Sequence, residues 1–166
     1  MPLRADGRRA ARAFLLGRSF RFWFVCSVSA RRFSSGQKMN REAGEEDFRP
    51  VVGDPPYRIA VDAGHGGSDP GAQGIVTESE MTAQTAQDLL AWLEADSNYI
   101  PLISRESYDV TAKPSERAAA IHAQNPDLML SIHGNSAPEG STASGFECYP
   151  SVPGRTWHKE SYYFAR

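Results

Sequence analysis

Several things are scarce in this sequence, and each scarcity removes a class of protein. Only two cysteines, Cys26 and Cys148, occur in 166 residues. They stand in unlike segments, which argues against a disulfide framework. No apolar run reaches about 18 residues, so no integral membrane segment is expected. From residue 39 onward the chain holds nine basic and nineteen acidic residues, and nothing there forms the clustered basic face of a nucleic-acid binder. The one glycine-rich stretch lacks the Lys-Ser/Thr of a phosphate loop and the spacing of a dinucleotide fingerprint. No internal repeat is visible.

What is present suits one domain: 40% hydrophobic and 23% charged residues, with a net charge of −2, in a length that leaves little room for a second core. The net charge conceals an asymmetry. Residues 1–38 carry eight arginines and Lys38 against Asp6 alone. This segment reads in three ways: an upstream start with Met39 as the true one, an export signal, or an unusual tail; its Arg- and Ser-rich, acid-poor composition also mimics a transit peptide. In the export reading FWFVCSVSA is a short apolar region and Val28-Ser29-Ala30 precedes a cleavage site, although Arg18 and Arg21 interrupt the apolar run. Under each reading 1–38 is set aside from the fold. Residues 39–56, polar and punctuated by Pro and Gly, read as a linker, and 57–166 as the folded body.

The body alternates. Tyr57–Ala63 is rich in β-formers and reads as a strand. A glycine-rich loop follows, and then a helix over Thr77–Glu94, with Thr77 and Glu80 spaced as a capping box. Its apolar positions Met81, Thr85, Leu89 and Trp92, with Ala86, Leu90 and Leu93 beside them, recur at helical spacing. Tyr99–Ser104 is a short strand that Pro101 assigns to an edge or to irregular pairing. Pro114–Ala123 is a second helix with Pro at its first position and Lys113 as a poor N-cap. Asp127–His133 is the most strand-like run, Gly145–Tyr149 another short strand, and Arg155–Arg166 the opening of a third helix. Alternation with short links predicts an α/β single domain with a twisted, mostly parallel sheet flanked by helices.

Three residues fall where that fold gathers ligands, beyond the carboxyl ends of its strands. His65 follows the first strand, Glu78 opens the first helix, and His133 closes the most apolar strand, ahead of Gly134-Asn135. Two imidazoles and one carboxylate make a catalytic zinc set that leaves a fourth position for water, and such water ionises near neutral pH and attacks carbonyls. Each residue also has an ordinary explanation: His65 as a turn residue, Glu78 as a partner of the helix dipole, His133 as a hydrogen-bonded strand-end histidine. Gly64, Gly66 and Gly67 let backbone pass close to a metal or substrate. Asp62 and Asn135 adjoin the candidate ligands and are expected to orient the imidazoles. His122 reads as a partly exposed helix residue and Glu147 as a strand residue. Arg105 and Arg117 read as partners of acids across strand and helix. His158 has no assignable role.

The stretches VDAGHGGSDPGA, TESE, SRESYDV, PSERAAAIHAQNPDLMLSIHGNS and GFECY, in that order, resemble the zinc-dependent N-acetylmuramoyl-L-alanine amidases of the cell-division and sporulation type. The resemblance runs from about Tyr57 to the last residue. It implies a single α/β domain with a sheet of about six strands and one Zn²⁺ on His65, Glu78 and His133. Glu78 fits the family's helix-opening acid better than Glu80 does. The implied reaction is hydrolysis of the amide between the lactyl group of N-acetylmuramic acid and L-alanine, and the implied substrate is peptidoglycan. An extracytoplasmic site of action follows from that substrate, and a monomer is expected.

The family also uses a late glutamate as general base beside the metal, and no such segment occurs before Arg166. The resemblance therefore implies a C-terminally shortened domain whose catalytic base is unknown. The alternative to an active amidase is a zinc-containing fragment that binds peptidoglycan without cleaving it. Stem-peptide preference, regulators, and action on the cell's own wall or a foreign one are not legible.

Overall fold

The computed structural model describes residues 23–30 (backbone only), 53–137, 141–142 and 144–165. The remainder of the leader and the linker expected over 39–56, up to residue 52, lie outside the described residues. Five strands and three helices follow in the order β1 (Trp23–Ala30), β2 (Tyr57–Ala63), α1 (Glu78–Glu94), β3 (Tyr99–Ile103), α2 (Pro114–Ala123), β4 (Leu128–Asn135), β5 (Phe146–Pro150) and α3 (His158–Ala165).

They form one α/β domain around a five-stranded sheet of order β3-β2-β4-β1-β5. The pairings β2–β3, β2–β4 and β1–β5 are parallel, and β1–β4 is antiparallel. β3 is an edge strand, which is where Pro101 is tolerated, because its missing N–H removes no bond from a central ladder. β1 departs from the sequence reading. Its residues were counted with the leader, yet its backbone pairs from Trp23↔Asn135 to Ala30↔Leu128 along the whole of β4. A run of Phe, Val and Ser serves a strand as well as a signal, and composition alone does not separate the two.

β2 is the core strand. Ile59, Ala60, Val61, Asp62 and Ala63 are all buried, as expected for a strand covered on both faces. Val61 and Ala63 pack with Ile132 and Ala86, backed by Leu89, Leu90 and Leu93 of α1. Ala60 packs with Leu102 and Ile121 of α2, backed by Met129.

Helix α1 differs from its sequence reading in two respects. Thr77 occupies the N-cap with extended backbone but makes no side-chain capping bond. The buried stripe is Glu78, Thr82 and Ala86, while Trp92 is 69% exposed. Two of the three inward positions are polar because they serve the loop and site at the end of β2 rather than the core. In α2 the Lys113 N–H donates to Glu116 Oε2 at 2.8 Å, so the acid at the third helical position compensates for a poor capping side chain.

Candidate functional site

The register of β2 against β4 decides the site. Ala63 pairs with Ile132, and the next step of the ladder is the bond from Gly64 N–H to the Ile132 carbonyl, 2.8 Å. His133 therefore stands beside the point where β2 gives way to its glycine loop; it lies inside β4, which runs on to Asn135 rather than closing at His133 as expected, because Gly134 and Asn135 pair with β1. His65, one residue further, takes φ +61°, a left-handed conformation uncommon outside glycine. That turn brings its ring to His133 edge-on, with centroids 4.9 Å apart.

Glu78 closes the triangle from the first turn of α1. One oxygen, Oε1, lies 3.1 Å from His65 Nε2 and 3.1 Å from His133 Nδ1. The same oxygen accepts the Gly134 N–H at 2.8 Å, and Oε2 accepts the Ala72 N–H at 2.9 Å. Two backbone donors thus fix the carboxylate in a plane, and Glu78 is only 3% exposed. Burial pushes its carboxyl upward, but the His133 bond and the two backbone N–H bonds outweigh that and hold it below the ordinary 4.5. It is a charged group at neutral pH, buried between two imidazoles. Glu80, the other acid of the turn, is exposed.

His65, Glu78 and His133 offer three ligand atoms within 4.8 Å of one another. In a tetrahedral site with bonds of about 2.0–2.1 Å, neighbouring donors stand roughly 3.3 Å apart. The two 3.1 Å spacings about Glu78 Oε1 are close to that. Two imidazole nitrogens and one carboxylate oxygen are also the donor types that zinc takes. On these two spacings and on donor type the residues fit Zn²⁺.

The glycines divide the work differently from the expectation. A β-carbon at Gly64 would stand 2.3 Å from His133 Cε1, and one at Gly71, where φ is +65°, would meet Glu78 Oε2 and the His65 ring at 2.7 Å. Gly64 and Gly71 are the residues that make room for the ligand set. Gly66 and Gly67 instead approach the segment after β3: β-carbons there would meet the Tyr108 carbonyl at 2.5 Å and Thr111 N at 2.4 Å.

Among the described residues, the side-chain hydrogen bonds of Asp62 and Asn135 lead away from the imidazoles. Asp62 pairs in register with Ser131, so it faces α2. There it takes bonds from Arg117 Nε at 2.9 Å and from Ser131 Oγ at 2.8 Å. Asn135 accepts from the N–H of Ser136 through Oδ1 at 3.0 Å. Besides Glu78, the acid that touches an imidazole is Asp69, with Oδ2 2.9 Å from His65 Nδ1. It was missed in the sequence because it sits among glycines and a proline where any turn carries an aspartate. Its position four residues after the histidine, in a loop that folds back on itself, was the available signal.

Arg117 pairs with an acid as expected, but Arg105 does not. Its Nη2 donates to the carbonyls of Ala63 and His65, and its guanidinium carbon lies 5.6 Å from the Tyr108 ring centroid. It braces the backbone on both sides of Gly64. His122 is exposed on α2, Glu147 is exposed on β5 and accepts from Tyr149 Oη at 3.0 Å, and His158 opens α3 with Nδ1 on the Ser151 carbonyl.

With that geometry in hand, comparison with known proteins is specific. The profile of a family described as N-acetylmuramoyl-L-alanine amidase matches residues 59–165. The sporulation-specific N-acetylmuramoyl-L-alanine amidase of Bacillus subtilis (strain 168) is 38% identical over 93 residues, covering 55% of this chain and 35% of that protein. The amidase CwlM of Bacillus licheniformis is 36% identical over 98 residues, 57% of this chain and 37% of its own length. An endolysin of Bacillus phage SPP1 is 32% identical over 95 residues, 57% of this chain and 34% of its own. The matched stretch is therefore little more than a third of the length of these relatives.

Proposed function

The chain belongs to the N-acetylmuramoyl-L-alanine amidase family, and from that premise we propose that its body carries the zinc site of a peptidoglycan amidase. The reaction is hydrolysis of the amide that joins N-acetylmuramic acid to L-alanine. One observation carries the reading: His65 Nε2, His133 Nδ1 and the buried Glu78 carboxylate converge, with both nitrogens 3.1 Å from one oxygen.

His65 and His133 supply imidazole nitrogens, and Glu78 supplies an oxygen already fixed by two backbone N–H groups. Zn²⁺ held there supplies Lewis-acid polarisation of the scissile carbonyl and activates water at neutral pH. Glu78 binds and balances charge. It is not the base, because both its oxygens are committed to the ligand set and the backbone. The group that takes the water's proton is, by resemblance, a further glutamate from the late part of the family's domain.

A second reading is a zinc-containing module that holds peptidoglycan without cleaving it. It is favoured by the composition of the cluster, which among the described residues contains one carboxylate only. On either reading a peptidoglycan substrate implies action on the wall, outside the cytoplasm. Among the described residues no helix is long and apolar enough to cross a membrane.

Metal analysis of the purified chain and assay of muropeptide release from purified sacculi test both. The amidase reading expects one zinc per chain, release of free stem peptides when the chain is assayed with the family's late glutamate-bearing segment joined to it, and loss of both in His133→Ala. Zinc with sacculus binding but no release selects the second reading. A folded chain that takes up no zinc overturns both.

A further inference from the structure

The glycine loop between β2 and α1 holds an aspartate whose surroundings are more constrained than its exposure suggests. Asp69 has a side chain 53% exposed, yet both of its carboxylate oxygens are occupied. Oδ2 lies 2.9 Å from His65 Nδ1, and Oδ1 accepts the Gly71 N–H at 3.1 Å. The backbone of Asp69 is fixed as well. Gly66 N–H donates to the Asp69 carbonyl at 2.8 Å, and Asp69 N–H returns a bond to the Gly66 carbonyl at 3.1 Å. The loop is in turn tied to the segment after β3. Gly67 N–H bonds the Tyr108 carbonyl at 3.0 Å, and Ser68 N–H bonds Thr111 Oγ1 at 2.8 Å.

Building on the zinc reading above, we propose that Asp69 is a positioning residue that keeps the proton of His65 on Nδ1 and so presents Nε2 bare to the metal. The two nitrogens of an imidazole are distinct, and the bond made by one decides what the other can do. A carboxylate can only accept, so the hydrogen opposite Asp69 stays fixed on Nδ1; Nε2 also faces a carboxylate, Glu78 Oε1 at 3.1 Å, and any hydrogen there is the one that a metal shared with Glu78 displaces. Nε2 is the nitrogen that points at Glu78 and into the ligand set. Asp69 thereby selects the ligating atom without touching the metal.

The isosteric variant Asp69→Asn tests this. Its oxygen stays on the Gly71 N–H, so its amide NH₂ stands where Oδ2 was and donates to Nδ1. The His65 proton must then move to Nε2, the atom the metal needs. Nitrogen-15 correlation spectra of the histidine rings in the metal-free chain read the proton's position directly. The expected result is a protonated Nδ1 on His65 in the parent chain and a bare Nδ1 in Asp69→Asn. Zinc affinity, by competition with a chromophoric chelator, is expected to fall 10–100-fold, with the thermal midpoint of the metal-free chain unchanged. Asp69→Ala, which removes the acceptor without installing a donor, is expected to lose less affinity than Asp69→Asn. A bare Nδ1 in the parent chain, or equal zinc affinity in parent and Asp69→Asn, overturns the proposal. If the parent takes up no zinc, the zinc reading fails by itself, and the spectra still decide what Asp69 does to His65.

Discussion

The imidazole of His133 lies over the α-carbon of Gly64, so closely that a β-carbon there would fall 2.3, 2.5 and 2.6 Å from Cε1, Nδ1 and Nε2. No side chain fits between β2 and that ring. Gly64→Ala is therefore expected to push His133 out of the ligand set, because Gly64 itself is pinned by its N–H on Ile132 and by its carbonyl, which accepts from Thr82 Oγ1 at 2.7 Å. Zinc affinity should fall at least tenfold, read by chelator competition. A variant that binds zinc as the parent does would show that the ring or the backbone yields.

The buried pair of Asp62 and Arg117 is structural rather than part of the metal centre. Both side chains are 4% exposed, with Nε and Oδ1 2.9 Å apart. Removing one partner leaves the other charged and buried, a loss of about 3–5 kcal/mol. Arg117→Ala should lower stability to denaturant by that order while zinc affinity per folded molecule stays the same. A loss of affinity at unchanged stability would return Asp62 to the metal centre.

Thr82 makes a smaller prediction of the same kind. It is fully buried, and its hydroxyl donates to the carbonyl of Gly64. Thr82→Val keeps the shape and strands that acceptor, at a cost of about 1–3 kcal/mol. Equilibrium unfolding measures it, and a change within experimental error would mean that the carbonyl finds water.

Acid should act on the metal-free chain through Glu78. Its carboxyl is held below 4.5 in the folded state, burial opposing and the bonds from His133, Ala72 and Gly134 prevailing. A depressed carboxyl contributes stability that is present above its unfolded value and is lost as pH falls through the folded one. The stability contributed by this group should thus be constant above pH 4.5 and decline below it, and Glu78→Gln should flatten that part of the profile. Identical acid limbs in the two proteins would contradict the assignment.

The position of β1 is testable in the same direct way. A proline within an inner strand removes a ladder bond of roughly 1 kcal/mol and adds a clash of its ring with the neighbouring backbone. Ser27→Pro, where Ser27 pairs with Ser131 on one side and Tyr149 on the other, should lower the thermal midpoint. No change would place residues 23–30 outside the working sheet, as the leader reading had them.

The elements that were legible in the sequence are those with strong local signals. β2 and α2 fall on their expected bounds because a β-branched run and an initiating proline are local facts. The convergence of His65, Glu78 and His133 was legible because each lies near the end of a strand or at the start of a helix, where the topology of an α/β sheet collects side chains. What was not legible depends on contacts distant in sequence. Asp62 looked like a neighbour of His65, but strand alternation turns it toward α2 and Arg117. Asp69 carried no signal of its own among the glycines of the loop, and only the folded loop brings it back to His65. Trp92 matched the helical period but lies off the face that packs, because Glu78 and Thr82 draw α1 toward the loop. β1 is the extreme case, since its partners lie more than 90 residues away.

That last distance has a consequence for synthesis. Among the described strands β1 is the first to be made, yet both of its neighbours, β4 and β5, are the last. Pairings so far apart along the chain form slowly. Until Phe146–Pro150 has been made, β1 has one of its two partners missing, and before β4 it has neither. The central seam of the sheet therefore closes after translation of the described body is nearly complete. In the interval the strand is a bare apolar edge, the kind of segment that chaperones hold and that concentrated chains share with one another.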